Sequence, residues 1–328
     1  MRAAVWLAVA LWTTAVAAAE PEPEQLRLVS EHAVEGMLGG NLSGLAQCGD
    51  ALLAVSDRED DRLYRLLVSA EGVWQAEAES FLVPPAPTSG LAWGMRVRNQ
   101  VVGLARGGAL DFEALACDAV GNRYLLSEAA VAVLRITPLG QADWLALPPG
   151  ILRQARASGM LLKANAMLEG IAVDPAGESI WLAAERDRRG LLVVHRESSA
   201  WRCRGGCILQ VEGGRRASLL SPGSGTYPRD FSDLGWHAGK LFSLERLQHR
   251  ICRRTPRTGE VERCWSFAEV ATLPGRSYGT PFGSAEGLAL DEQGAWVGLD
   301  NNGAARADGE SRPLVWRLAA PGGGWLAR

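Results

Sequence analysis

The sequence predicts an all-β fold, a β-propeller of five or six blades around a central channel. Strand-like runs recur along the chain and end in turn residues, helical periodicity is scarce, and one strand–turn–strand unit appears five times.

The strand-like runs are Leu52 to Ser56, Tyr124 to Ser127, Ser179 to Ala183, Leu191 to His195, Lys240 to Leu244, Ala295 to Leu299 and Pro313 to Leu318. Each is short, apolar or alternating, and bounded by Gly, Asp, Asn or Pro. Glycine is abundant, at 38 residues. The best helical candidate is Ile151 to Met167, read as an insertion between sheets. Pro84 to Pro87 and Ser221 to Tyr227 read as exposed loops.

The repeated unit occupies residues 43–57, 113–128, 169–185, 232–245 and 286–300. Each copy has an opening polar residue, a small apolar strand, a Gly or Asp turn, a second apolar strand and a closing acid. The closing acids are Asp57, Glu128, Glu185, Glu245 and Asp300. A period of roughly 60 residues built from strand–turn–strand units suits a propeller, whose blades bury their faces only against one another. The first interval is the longest and has room for a sixth blade. Val29 to Val34 and Pro313 to Leu318 are expected to share one blade and close the ring.

Residues 1–19 read as a leader rather than as part of the fold. Met1-Arg2 is a basic start, Ala3 to Val16 is apolar, and Ala17-Ala18-Ala19 offers an A-x-A cleavage site before a polar run. Residues 20–328 are then one propeller domain, periplasmic or secreted and expected to be a monomer. The apolar run falls short of the ~20 residues that span a bilayer, and no later segment is long enough. Acidic residues outnumber basic ones, 37 to 34. With no basic block, a nucleic-acid partner is not expected.

Export gives the six cysteines a structural reading. Cys203 and Cys207 flank Arg-Gly-Gly and permit a tight local bridge. Cys252 and Cys264 bracket a hairpin, which leaves Cys48 with Cys117. This is the expected arrangement among the many that six cysteines allow. A zinc site is the rival reading, but no histidine stands at zinc-site spacing.

In a propeller, residues at matching strand positions form a ring around the channel mouth. The opening residues are Asn41 and Ser43, Asp111 and Glu113, Asn165 and Glu169, Asp230 and Asp233, and Glu286; the closing acids form the second ring. Arg58, Arg186 and Arg246 each follow a closing acid directly. Clustered carboxylates repel and raise one another's pKa, so a hard cation or interleaved arginines are needed. The set is all oxygen, which suits calcium, and arginine offers phosphate a bidentate partner. We expect Glu169, Glu286, Glu113 and Asp57 to be catalytic and Arg58, Arg186 and Arg246 to bind substrate. Asp111, Glu128, Glu185, Asp300 and Asn165 are the expected metal ligands. The plain alternative is that such acids cap turns and pair with the following arginine. No histidine, Ser-His-Asp set or Gly-x-Ser-x-Gly elbow supports a serine hydrolase. Asn41-Leu42-Ser43 matches a glycosylation acceptor, and the 12 tryptophans read mostly as core.

GlyGlyAsnLeuSerGlyLeu (39–45) with AlaValSerAspArg (54–58), AspPheGluAlaLeuAla (111–116) with LeuLeuSerGlu (125–128), and AsnAlaMetLeuGluGlyIleAla (165–172) with AlaGluArg (184–186) carry a family pattern. SerAlaGluGlyLeuAla (284–289) and GlyLeuAspAsnAsn (298–302) continue it. The chain resembles the phytase-like family of exported bacterial proteins described as having esterase-like activity. The resemblance implies a propeller, hydrolysis of a small-molecule phosphoester or ester, and calcium by analogy with propeller phytases. Carried over by motif, its acids are Asp57, Asp111, Glu113, Glu128, Glu169, Glu185 and Glu286. Asp300 departs from the pattern, being followed by Asn301-Asn302 instead of arginine, and this points to the last blade as the metal side. The alternatives are a non-catalytic envelope propeller that binds a ligand or protein, and a gluconolactonase-type lactonase.

Overall fold

A computed structural model describes residues 23–164 and 166–327. It is a propeller of five blades. The inner strands are Gly44–Cys48, Phe112–Cys117, Leu168–Val173, Asp233–His237 and Ala285–Asp291, and each lies against two others in a closed ring. The second strands are Ala51–Val55, Arg123–Ser127, Ser179–Ala184, Lys240–Glu245 and Gly294–Leu299, each antiparallel to its inner partner. The expected strand-like runs fall in strands except for their end residues Ser56 and Pro313, with Leu191 to His195 in Arg189–Glu197 and the last run in Leu314–Ala319.

Closure works as expected from sequence. Leu28–Glu35, near the start of the chain, is the outer strand of the last blade, antiparallel to Leu314–Ala319 with Ala33 opposite Leu314. Its end also pairs in parallel with Trp74–Ser80 of the first blade, Val34 opposite Trp74, so those two blades share one continuous sheet.

Two helical expectations change. The long first interval holds no sixth blade. Instead it carries a loop and the helix Trp93–Arg106, whose N-terminus has neither a side-chain cap nor an acidic residue in its first turn, so the usual start signal is missing from the sequence. The expected helix over Ile151 to Met167 is only Ile151–Ala157. Thr226–Pro228, half inside an expected loop, pairs with Arg215–Ala217 as a short ribbon.

The motif Glu-Gly-(Leu/Ile)-Ala has a packing cause. A Cβ on Gly287 would stand 2.6 Å from Leu45 Cβ, and one on Gly170 would stand 2.9 Å from the carbonyl carbon of Asp233. The inner strands approach so closely at these positions that only Gly fits. Buried aromatic and aliphatic side chains fill the space between blades, with Trp74, Trp265, Phe112, Phe242 and Phe267 fully enclosed. Asp174 and Asp291 accept backbone N–H bonds within their own hairpin turns and are structural.

All three disulfides form as expected: Cys48–Cys117, Cys203–Cys207 and Cys252–Cys264. The first joins neighbouring inner strands, and the third joins residues directly opposite each other in a hairpin. Bridges of this kind persist outside the cytoplasm. Among the described residues no helix is long and apolar enough to cross a membrane. Residues 1–19, read as a leader, lie outside the described residues, as does Asn165. Asn41 is buried at 2% exposure, which removes the glycosylation reading.

Candidate functional site

Inner and second strands run antiparallel, so the start of each inner strand and the end of each second strand lie on one face. Three inner strands bulge there. The register breaks between Phe112 and Ala114, between Leu168 and Gly170, and between Ala285 and Gly287. The extra residue in each is Glu113, Glu169 or Glu286. A bulge re-aims one side chain without moving the strand, so the same irregularity serves a glutamate in three blades. All three keep partial solvent access.

Asp111, Glu113 and Glu128 offer carboxylate oxygens within 4.8 Å of one another. Asp111 has φ +57°, a left-handed conformation that Asp tolerates better than most residues. Its loop is held from several sides. Asp60 accepts from Ala109 N at 2.7 Å and Leu110 N at 2.8 Å, Ser127 Oγ donates to Leu110 O, and Glu128 N donates to Asp111 O at 2.9 Å. Glu128 Oε1 also accepts from Met167 N at 3.1 Å, which links the second blade to the third.

The field at this mouth is strongly negative. Burial, then Glu169, Asp111 and other acids, push Glu113 well above the usual carboxylate range. Glu128 rises for the same reasons. Burial raises Glu169 to about 7 and Glu286 to about 8, although Arg246 pulls both down. Asp300 rises to about 6 through burial, with Asp57 adding to the shift.

Arg246 is the main internal counter-charge. Its Nε bonds Asp230 at 3.0 Å, its Nη2 bonds Glu185 at 2.9 Å, and its Nη1 bonds Glu286. All three nitrogens thus meet carboxylates from three elements, and its own pKa is raised. Arg58 and Arg186 are more open, with side chains 32% and 29% exposed. Arg58 Nε lies 4.0 Å from Asp57, and Arg186 pairs with Glu185. Among the described residues, Glu286 Oε2 is buried with no hydrogen-bond partner.

The rings expected from sequence separate in three dimensions. Asp57, Asp111, Glu113, Glu128, Glu169, Glu286 and Asp300 share the acidic mouth, with Arg58, Arg186 and Arg246 among them. Glu185 is enclosed and held by Arg186 and Arg246. Glu245, counted in the closing ring, is instead a fully buried partner of Arg189, Arg250 and Arg254. Burial opposes its ionisation, but these arginines hold its carboxyl well below the usual range. Asp233, counted in the opening ring, is also fully buried and bonded to backbone. The tightest oxygen cluster belongs to the second blade, not to the last blade as the Asp300-Asn301-Asn302 departure suggested. Asp60 and Asp230 emerge as supports that sequence reading undervalued. The one available signal was their place in acid-rich loops beside a blade start.

The fold occurs in proteins of very different sequence. The chain is similar to the glutaminyl cyclase of Myxococcus xanthus, with 12% identity, a TM-score of 0.51, and coverage of 91% of this chain and 99% of that one. It is also similar to the PQQ-bound aldose sugar dehydrogenase of Streptomyces coelicolor, with 12% identity, a TM-score of 0.44, and coverage of 90% and 100%. Virginiamycin B lyase from Staphylococcus aureus shares 14% identity at a TM-score of 0.38, covering 91% and 75%. At such identities the likeness concerns fold alone. No curated protein matches the chain. Residues 38–202, half of the sequence, match the phytase-like family described as esterase-like activity of phytase. The matched part contains the first three inner strands and the Asp111, Glu113 and Glu128 cluster, and on that match the chain belongs to the phytase-like family.

Proposed function

We propose that the protein is an exported hydrolase of phosphoric esters or related esters, working at the acidic mouth with calcium as cofactor. The observation that carries this reading is the three-carboxylate cluster of Asp111, Glu113 and Glu128, set beside Glu169, with Glu128 buried and Asp111 and Glu113 partly reached by solvent.

The donors fit calcium: they are hard oxygens from carboxylates, and the repulsion that raises their pKa values is what a dication offsets. Asp111, Glu113 and Glu128 would hold the ion, with Asp300 and Glu185 at greater remove and Asn165 outside the described residues. Bound there, calcium supplies Lewis-acid polarisation of the ester oxygen.

The protein's own groups do the rest. Arg58 and Arg186 orient the anionic end of the substrate, while Arg246 fixes Glu286 and Glu185. Glu169, near 7, accepts a proton from the attacking water. Glu286, near 8, holds a proton for the departing alkoxide. Both carboxyls are raised toward neutral pH, where a carboxyl can give or take a proton. Asp57 steers Arg58 from beside Asp300. A cleaved leader at residues 1–19 would deliver the domain to the periplasm or medium.

The test is an assay of mature protein on phosphomonoester, phosphodiester, carboxylester and lactone panels, with calcium and with chelator. Calcium-dependent turnover, lost in Glu169→Gln and Glu286→Gln, is the expected result. No turnover on any panel favours a propeller that only binds its ligand, and full activity in both variants removes these glutamates from catalysis.

A further inference from the structure

A second polar site lies on the flank of the ring, between the third and fourth blades. It is a cleft of about 1020 Å³ whose inner wall includes Glu212, Arg229, Gln248 and Arg250. Behind that wall four guanidinium groups share two carboxylates. Arg189 and Arg254 are fully buried, and both bond Glu212 and Glu245. Phe231 lies between them, 4.1 Å from one guanidinium carbon and 4.8 Å from the other, so no further anion fits on that side. Arg250 reaches Glu245 at 2.8 Å.

Arg229 is the fourth. Its Nη2 stays 3.5 Å from Glu212 and 3.7 Å from Glu245, longer than a good hydrogen bond, because the nearer arginines already hold those oxygens. Its Nε rests on the neutral Gln248 amide at 3.1 Å. Arginine stays protonated in proteins, so Arg189, Arg229, Arg250 and Arg254 against Glu212 and Glu245 leave two positive charges uncompensated. Burial, followed by the nearby Arg189, pulls Arg229 down from its usual value, as surplus positive charge would. Of the acids on the opposite wall, Glu260 is exposed and accepts from the Thr258 hydroxyl at 3.0 Å, and the other two are already matched. Glu262 takes Lys240 at 2.6 Å and Arg253 at 2.7 Å, and Glu24 takes Arg263 at 3.0 Å. Arg229 and Arg250 are partly buried, with side chains 19% and 15% exposed, so uncompensated charge there is only partly hydrated, and an oxyanion with two or three acceptor oxygens offsets it.

We propose that this cleft is an anion site that takes a dianionic oxyanion, inorganic phosphate or a phosphate monoester, on Arg229 and Arg250. It is separate from the acidic mouth and does not depend on the hydrolase reading. Arg189 Nη1 donates to Asp230 O at 2.6 Å, and Asp230 in turn holds Arg246, so the two sites share one strut.

The test is titration of mature protein with inorganic phosphate, and separately with glycerol phosphate, followed by calorimetry in chelator at constant ionic strength. The expected result is saturable binding that weakens roughly tenfold in Arg229→Gln, the loss of about one charge-assisted bond. Arg229→Lys should fall between, and Arg65→Gln on the outer part of the first blade, where Arg65 pairs with Glu79, should bind like the unsubstituted protein. Binding to phosphate but not to the ester names the free ion as ligand; binding to both names the phosphoryl group. Absence of saturable binding, equal binding in Arg229→Gln, or loss in Arg65→Gln overturns the proposal. Thermal melts of each variant show that it is folded, and phosphate should raise the melting point of the unsubstituted protein but not of Arg229→Gln.

Discussion

Asp233 Oδ2 accepts a hydrogen bond from Leu288 N at 2.8 Å, tying the inner strand of the fourth blade to that of the fifth. Its Oδ1 accepts from Leu234 N at 2.7 Å, and Ile171 N of the third blade donates as well. Burial pushes this carboxyl up, while the three N–H donors pull it down. Asp233 therefore acts as a staple between inner strands and not as a ligand-facing acid. Asp233→Ala should destabilise the protein by about 3 kcal/mol or more, because buried donors lose their acceptor. Urea unfolding checks this, and an unchanged midpoint would remove the staple.

Glu245 separates from the mouth acids by a similar test. Removing one partner of a buried ion network leaves uncompensated charge and costs roughly 3–5 kcal/mol. Glu245→Gln should fall in that range because Arg189, Arg250 and Arg254 all lean on it. Chemical denaturation measures the loss. Any folded fraction should keep its calcium affinity, a result a direct ligand would not give.

The mouth acids predict an unusual pH profile without metal. Glu169 and Glu286 have folded pKa values near 7 and 8, raised above their unfolded values. The folded state then binds more protons than the unfolded state between about pH 4.5 and 8. Stability is full below the unfolded pKa and is lost as pH rises through the folded pKa. In chelator, the melting temperature should drop by about 5 °C or more from pH 5 to pH 8. Thermal scans across that window check it, and a flat or rising profile contradicts the electrostatic picture.

Calcium should reverse that drop, since a dication replaces the protons as counter-charge. At pH 8 the melting temperature should climb with calcium concentration. Glu113→Gln or Asp111→Asn should shift the response to at least about tenfold higher calcium. Melting curves that ignore calcium would place the ion elsewhere or remove it.

The disulfides should differ in worth. Cys48–Cys117 closes a sequence separation of 69 residues, against 4 for Cys203–Cys207. On chain-entropy grounds, changing the first pair to serine should cost about 4 kcal/mol, and changing the second should cost clearly less. Denaturation of the two double variants gives the comparison.

Much of this molecule was legible in one dimension. The spacing of Asp57, Glu128, Glu185, Glu245 and Asp300 marks the blades, because every blade solves the same packing problem with the same strand–turn–strand unit. The recurrent Gly of Glu-Gly-(Leu/Ile)-Ala reflects the close approach of inner strands, and the N-terminal strand could be matched to the last blade. The cysteine pairs followed from hairpins and repeat positions.

Tertiary structure alone decided which acids face the mouth. Glu245 and Glu185 close their units alike in sequence, but Glu245 meets Arg189 and Arg254, while Glu185 meets Arg246 and Arg186. Arg186 follows Glu185 directly, but Arg189, Arg246 and Arg254 come from other strands and loops, and no local pattern records those pairings. Bulges sharpened the position too, since one extra residue turns Glu113, Glu169 and Glu286 toward a shared space while Asp233, without a bulge, stays inside. The sequence by itself determined the repeat and its chemistry, because both are local and periodic. Only the fold determined partners and orientation, because a carboxylate's role depends on the charges that reach it from elsewhere in the chain.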